Sequence, residues 1–104
     1  MVATPKAATL KRYGLSIEEW RTILANQGGV CAVCKRLPST GRLCVDHEHV
    51  KGWKKMPPDQ RKLYVRGLVC WLDNHRVLTR GVTAERLHNG AVYLDAYQAR
   101  RAVQ

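Results

Sequence analysis

Three cysteines have the spacing of a metal site. Cys31-Ala-Val-Cys34 forms a turn that can present two thiolates to one ion, and Cys70 follows Cys34 after thirty-six residues. Zinc is the usual occupant of such knuckles, which bind it through four thiolate, imidazole or carboxylate groups. A fourth thiolate would stand three residues after Cys70, where this chain has Asp73. The spacing predicts a structural zinc site held by Cys31, Cys34, Cys70 and Asp73.

The residues alone leave the fourth ligand open. His75, Cys44 or a water molecule are the alternatives to Asp73, which we favour. Cys44 lies within an alternating strand, where a free cysteine commonly behaves as a small buried apolar residue. A redox pair of the thioredoxin kind is the alternative for Cys31 and Cys34, but no strand-helix pattern of that fold surrounds them.

A second group of reactive side chains is contiguous in the chain. Val45-Asp46-His47-Glu48-His49 ends a strand and enters a long loop. Side chains alternate along an ideal strand, so Asp46 and His47 serve one site only if the strand ends or bends there. Asn74 should open a helix after Cys70, either as an ordinary cap or as an amide oxygen ligand of a hard cation.

One helix and two strands are predicted to position these groups. Ser16 and Glu19 have capping-box spacing at the start of a helix that Gly28-Gly29 ends. The strands are predicted at Leu43 to His47 and near Tyr64 to Val69. Together they form a hairpin with a long loop.

Two further helices are predicted towards the C-terminus. A short one follows Cys70 and ends near Gly81, and a long one runs from about Ala84 to Arg101 with Thr83 as its cap. The long helix has a mostly apolar stripe, which we interpret as core. Its members are Leu87, Ala91, Leu94 and Gln98.

The chain is strongly basic. Its 104 residues fit one compact domain, and they include 18 Lys and Arg against 8 Asp and Glu, a formal net charge of +10. Such an excess favours a polyanionic partner, although a well-solvated basic surface is the plainer alternative. Residues 1–12 are basic and lack a clear pattern, so we expect a flexible basic arm before a single domain over residues 13–104.

The sequence gives no sign of a membrane partner. No stretch approaches the roughly 20 apolar residues needed to cross a bilayer, and the N-terminal residues lack the apolar core of a signal peptide. We therefore expect a cytoplasmic location. In a reducing compartment the 4 cysteines are better explained as metal ligands or buried groups than as disulfides.

Four motifs follow one another in a fixed order over roughly residues 12 to 80. They are Tyr13-Gly14-Leu15-Ser16, Gln27 to Cys34, Val45 to His49, and Val65 to Cys70 before Asn74. This ordered set resembles the phage recombination endonuclease VII family, within the His-metal-finger or HNH-like nucleases. The resemblance implies an α+β fold with a small ββα-metal core, a zinc knuckle and flanking helices.

The resemblance also implies a DNA endonuclease that hydrolyses phosphodiester bonds. In that family one divalent cation lies between the Asp of the Asp-His pair and the Asn after the second knuckle, which are Asp46 and Asn74 here. His47 is implied as the general base, and His49 as a group that polarises the phosphate or orients its neighbours. A cation held by only two protein ligands keeps coordination positions free for water and phosphate, and this arrangement suits Mg²⁺ or Mn²⁺.

Two features depart from the family pattern. Asp73 stands where the family has Cys or sometimes His as its fourth zinc ligand. The stretch Trp53 to Tyr64 is longer than the family's compact turn, and it either lies along a DNA backbone or forms a disordered excursion. Arg66, on the second strand, has either a phosphate-binding role or a plain surface role. The basic residues of the long stretch are Lys54, Lys55, Arg61 and Lys62.

Two other function classes explain part of the sequence. A non-catalytic zinc-knuckle module that binds nucleic acid accounts for the cysteines and the charge, but not for the order of Asp46, His47 and Asn74. An accessory relative that has lost activity is supported only by Asp73. On the nuclease interpretation the sequence leaves open whether the DNA substrate is duplex or branched. An enzyme that resolves branched DNA normally works as a homodimer, so a homodimer is the expectation only for a branched substrate.

Overall fold

Four α-helices and one two-stranded sheet make up the fold. The computed structural model describes residues 1–103, and its two antiparallel strands are β1 (Cys44–His47) and β2 (Val65–Val69). The expected α+β class is confirmed. The helices are α1 (Ala7–Tyr13), α2 (Ile17–Asn26), α3 (Pro58–Arg61) and α4 (Ala84–Ala102).

Helix α2 begins where the sequence predicts. The backbone N–H of Glu19 donates to Ser16 Oγ at 3.0 Å, and the backbone N–H of Ser16 donates to Glu19 Oε1 at 2.9 Å. This capping box satisfies two donors at the helix start. The helix buries Trp20 and is followed by Gly28 and Gly29, whose φ values of 72° and 78° end it.

The sheet is the predicted hairpin, with one irregularity. The regular register ends with Asp46 opposite Gly67, and the next pair is His47 opposite Val65. Arg66 is therefore an extra residue in β2, and the hairpin has a bulge at the step from Asp46 to His47. Bulges of this kind re-aim side chains beside functional sites.

The core lies between α2, the sheet and the loop that follows α2. Leu68 and Cys31 are fully buried. The amide of Gln27 ties the loop to β2, because its Oε1 accepts from the N–H of Leu68 at 2.8 Å and its Nε2 donates to the carbonyl of Leu68 at 2.9 Å. A Cβ on Gly67 would lie only 2.9 Å from Gln27 Oε1, so glycine lets this amide approach. The other buried apolar residues are Val2, Leu15, Trp20, Leu43, Val45 and Val69.

The first twelve residues do not form the flexible arm that we expected. Helix α1 begins at Ala7 and covers half of their length, Val2 is buried in the core, and the N–H of Ala3 donates to the carbonyl of Gly41 at 2.8 Å. Leu10 of α1 also packs against the core. The expectation was wrong because Val2 and Leu10, which are eight positions apart, give no periodic signal in the sequence. Both nevertheless bury apolar surface in the fold.

The connection between the strands is folded. Turns of 3₁₀ helix at Trp53–Lys55 and Lys62–Tyr64 flank α3. Helix α3 packs against the end of α1, where Gly14 has a φ of 70° and a Cβ would clash with the carbonyl oxygen of Pro58. The alternative of a disordered excursion is therefore wrong for this stretch.

A π-helical turn, Asp73–Val77, follows β2 and Cys70. The N–H of Leu78 donates to the carbonyl of Asp73 at 2.7 Å, five residues back. The predicted short helix is thus a wider turn, and it ends before Gly81. Such turns frequently occur at functional sites.

Helix α4 begins as predicted but does not pack as predicted. Its cap is formed by Thr83 Oγ1, which accepts from the backbone N–H of Arg86 at 3.1 Å. The core role of its apolar stripe is wrong, since α4 contains no buried residue and Leu94 is 60% exposed. Periodicity identified the apolar face of this helix, but it does not specify a partner. Within residues 1–103, no helix combines the length and apolar character that crossing a bilayer requires.

Candidate active site and metal centre

Three thiols and one carboxylate converge at the end of β2. The sulfurs of Cys31, Cys34 and Cys70 and a carboxylate oxygen of Asp73 all lie within 4.8 Å of one another. Ligands about 2.3 Å from a zinc ion are separated by about 4 Å in a tetrahedral site, so this group has the required size. The residues that the spacing predicted can therefore hold a metal ion, and their chemistry is compatible with structural zinc.

Asp73 takes part in this group through one oxygen. Its Oδ2 accepts from Cys31 Sγ at 3.2 Å and from Cys70 Sγ at 3.1 Å. The backbone N–H groups of Cys70 and Val33 donate to Cys31 Sγ at 3.2 and 3.4 Å. Donors aimed at a sulfur favour its thiolate, which is the form that binds metal.

The two thiols bonded to Asp73 differ in acidity. Burial raises the pKa of Cys31, but backbone N–H groups, with that of Cys34 first, outweigh this effect and hold the pKa below its ordinary value. Burial and then the hydrogen bonds to Asp73 and Cys31 raise the pKa of Cys70 to about 12. Of these two thiols, Cys31 therefore forms a thiolate more readily than Cys70.

The other proposed fourth ligands lie outside this group. His75 Nδ1 is 2.9 Å from the carbonyl oxygen of Trp71, and its ring stacks on the Trp71 indole at 4.5 Å. Cys44 is hydrogen bonded to the side chain of Asn74, and burial raises its pKa. Asp73 is the carboxylate that the fold brings to the three thiols.

The carboxylate of Asp46 is buried and paired. Its side chain is 4% exposed, and Arg66 donates to both oxygens, from Nε to Oδ2 at 2.7 Å and from Nη2 to Oδ1 at 3.0 Å. These hydrogen bonds raise the pKa of Arg66. Both residues line a cavity of about 300 Å³ that also contacts Leu87 at the start of α4.

Asn74 reaches the same side of the sheet as Asp46. It bonds to Cys44, which precedes Asp46 by two residues in β1 and so projects to the same face. Asp46 and Asn74 nevertheless have different partners, since Asp46 pairs with Arg66. The two predicted cation ligands thus share one face of the hairpin.

His47 projects into a different cavity from Asp46. Its imidazole stacks on the Trp53 indole, with ring centroids 4.2 Å apart and an angle of 23° between the planes. The rings of Tyr13 and His49 lie 5.6 and 5.0 Å away. The separation follows from strand alternation, which the bulge between Asp46 and His47 does not remove.

Basic side chains surround His47. They line a cavity of about 620 Å³, which we call the His47 cleft. Lys54 and Lys55 were expected to bind DNA, whereas Lys51 and Arg80 were not singled out in the sequence. Lys51 lies two residues after His49, but Arg80 lies far along the chain and had no sequence signal. The aromatic, imidazole and basic side chains that line the His47 cleft are His47, His49, Lys51, Trp53, Lys54, Lys55 and Arg80.

The environment of His47 favours its neutral form. Burial is the largest cause that lowers the pKa of this imidazole, and the nearby His49 and Arg66 lower it further. The charge of Asp46 acts in the opposite direction and does not prevail. A neutral imidazole at the wall of a cationic cleft can accept a proton from water near neutral pH.

The remaining basic residues that were expected to bind DNA have partners within the chain. Arg61 donates to the carbonyls of Arg12 at 3.1 Å and Lys54 at 2.6 Å. Lys62 Nζ lies 2.9 Å from Glu19 Oε2. Arg66 is likewise bound to Asp46. Arg61, Lys62 and Arg66 thus make contacts within the fold around the two cavities.

Comparison with known proteins places the chain in a family. The family model described as recombination endonuclease VII matches residues 6–96. The Gene 59 protein of Mycobacterium phage D29 is 37% identical over 70 residues, which cover 66% of this chain and 36% of that protein. The chain thus matches about a third of the length of this relative. No solved structure shows a significant match. The chain belongs to the recombination endonuclease VII family.

Proposed function

We propose that this chain is a metal-dependent DNA endonuclease that hydrolyses phosphodiester bonds, with His47 as the general base. The observation that carries the proposal is a partly buried imidazole whose pKa is lowered, at the wall of a cleft with four basic side chains. DNA supplies the polyanion that this cleft and the net charge of +10 favour. Membership of the endonuclease VII family supports the reaction class.

The imidazole of His47 would take the proton from the attacking water. Because its pKa lies below the usual value, the imidazole is unprotonated and competent as a base at neutral pH. The ring of His49 meets it edge-on, at an interplanar angle of 81°. This position suits His49 to bind a phosphate oxygen beside the water that His47 activates.

Four cations of the His47 cleft would bind the phosphates on either side of the cut. They are Lys51, Lys54, Lys55 and Arg80. Lysine acts on phosphate as a point charge, and arginine adds directional hydrogen bonds. These residues replace the earlier expectation for Arg61, Lys62 and Arg66, whose charged groups are bonded within the chain.

Asp46 and Asn74 are the residues that would hold a catalytic Mg²⁺ or Mn²⁺. Their oxygens are the hard ligands these ions prefer, and Asn74 of the π-helical turn contacts Cys44, which projects from the same face of β1 as Asp46. A carboxylate has about four acceptor positions, of which Arg66 uses two. Because Asp46 and His47 line different cavities on either side of β1, a cation there would supply Lewis-acid chemistry only to a phosphate that reaches both residues at the end of the strand. The hairpin and the helical turn after it would then form the ββα-metal core, with Cys31, Cys34, Cys70 and Asp73 holding structural zinc.

Cleavage assays with matched histidine variants test the proposal. Purified protein is incubated with supercoiled plasmid and with a labelled four-way junction, in Mg²⁺ or Mn²⁺ and with an EDTA control. We expect cleavage that EDTA abolishes, a loss in His47→Ala, and normal activity in His88→Ala, whose side chain is exposed on α4. The junction also reports whether both strands are cut together, which would require the proposed homodimer.

The rival function gives a different result in the same assay. A non-catalytic zinc-knuckle module would bind both DNA forms in every variant and cut neither. That outcome, with correctly folded and metal-loaded protein, would contradict the endonuclease proposal.

A further inference from the structure

Trp53 lies at the centre of an ordered stack beside the proposed general base. Its indole contacts the His47 imidazole at 4.2 Å between centroids, nearly face to face, and the Tyr13 ring at 5.5 Å. Tyr13 in turn lies 5.6 Å from His47, so the three rings contact one another. Such aromatic contacts have defined geometry and contribute beyond the area they bury.

Arg61 holds the indole in place. Its guanidinium lies 4.8 Å from the centre of the Trp53 ring. The position of the guanidinium is set by hydrogen bonds to the carbonyls of Arg12 and Lys54, which belong to α1 and to the turn that carries Trp53. Trp53 thus contacts both His47 and an arginine that is anchored to the backbone.

We propose that Trp53 is a positioning residue, which fixes the orientation of the His47 imidazole and shields one face of it from water. This inference rests on the proposed role of His47 as the base. The stack belongs to the long connection between β1 and β2, so it explains what the stretch Trp53 to Tyr64 contributes to the site. Trp53 itself transfers no proton.

The test compares Trp53→Ala, Trp53→Phe and Trp71→Ala with the wild type. Trp71 is the matched control, since it also stacks on a histidine but lies outside the His47 cleft. NMR at one fixed pH gives the ring-current shift that the indole imposes on the His47 imidazole protons, and plasmid cleavage gives kcat and KM. We expect Trp53→Ala to remove this ring-current shift and to lower kcat about tenfold or more, with KM changed less than about twofold, because the imidazole is no longer held in one orientation. Trp53→Phe should restore most of kcat, and Trp71→Ala should match the wild type.

The outcomes separate this inference from the proposed function. If the wild type cleaves, His47→Ala does not, and Trp53→Ala keeps the wild-type kcat, the positioning role is overturned and the endonuclease stands. If the wild type does not cleave but the ring-current shift of His47 is lost in Trp53→Ala and recovers in Trp53→Phe, the contact is supported and the endonuclease proposal fails. If Trp53→Ala does not fold, a Trp53→Phe variant that keeps the ring-current shift but loses kcat overturns the positioning role.

Discussion

Arg66 binds the buried carboxylate of Asp46 with two hydrogen bonds of 2.7 and 3.0 Å. The pair is asymmetric, because the Asp46 side chain is 4% exposed and the Arg66 side chain is 38% exposed. A buried carboxylate that loses its partner keeps its desolvation cost. Arg66 therefore stabilises the hairpin at the position where a catalytic cation is proposed.

Arg66→Met should destabilise the protein more than the same substitution at a surface ion pair, Lys62→Met. Methionine keeps an apolar stem and removes the donors to Asp46, so we expect a loss of about 1–3 kcal/mol in the free energy of unfolding. The control is Lys62→Met, since Lys62 and Glu19 are each 41% exposed; it should cost less than about 1 kcal/mol. Urea denaturation measures both, and equal losses would contradict the account.

Gly14→Ala should be far more destabilising than Gly28→Ala. Both glycines have φ near 70°, so alanine at either position costs about 1–2 kcal/mol of backbone strain. At Gly14 the new Cβ also clashes with the carbonyl of Pro58, whereas nothing lies within 4 Å at Gly28. We expect the clash to add about 1–3 kcal/mol. Thermal unfolding of both variants measures the difference, and similar melting temperatures would show that α1 and α3 do not pack as described.

The zinc centre should depend on Asp73 and not on His75. Elemental analysis after dialysis should give about one zinc per wild-type chain, because four ligands form one site. Asp73→Ala leaves three protein ligands and should lose zinc to a chelator at lower concentration. His75→Ala serves as the control, since His75 stacks on Trp71 away from the cluster. Folded wild-type protein that retains no zinc would contradict the assignment.

DNA binding should depend on Lys54 and Lys55 and not on Lys62. Each phosphate contact contributes about 0.9 to the slope of log affinity against log salt concentration. Lys54→Ala combined with Lys55→Ala should therefore reduce the slope by about 2, as measured by fluorescence anisotropy. Lys62→Ala should leave it unchanged, because its ammonium is paired with Glu19. An unchanged slope in the double variant would remove these lysines from the DNA interface.

Local sequence signals predicted the elements that local chemistry determines. The capping box of Ser16 and Glu19, the cap at Thr83 and the metal ligand set around Cys31 each depend on short spacings or on a known knuckle pattern. The hairpin followed from alternation.

Features that depend on packing could not be predicted in this way. Val2 reaches the core through contacts with residues far along the chain, and the apolar face of α4 stays exposed, with no buried residue. Arg61 has the composition of a DNA contact, yet its guanidinium lies on Trp53. Only the tertiary fold distinguishes such a cation from Lys54, which lines the His47 cleft.

The single-turnover cleavage rate of His47→Ala tests the central claim most directly. The rate is measured on supercoiled plasmid with saturating protein and Mn²⁺, and DNA binding is measured in parallel. Loss of a general base should lower the rate about 10²- to 10⁴-fold while affinity is retained. Cleavage at the wild-type rate by His47→Ala would contradict the proposal that His47 activates the attacking water.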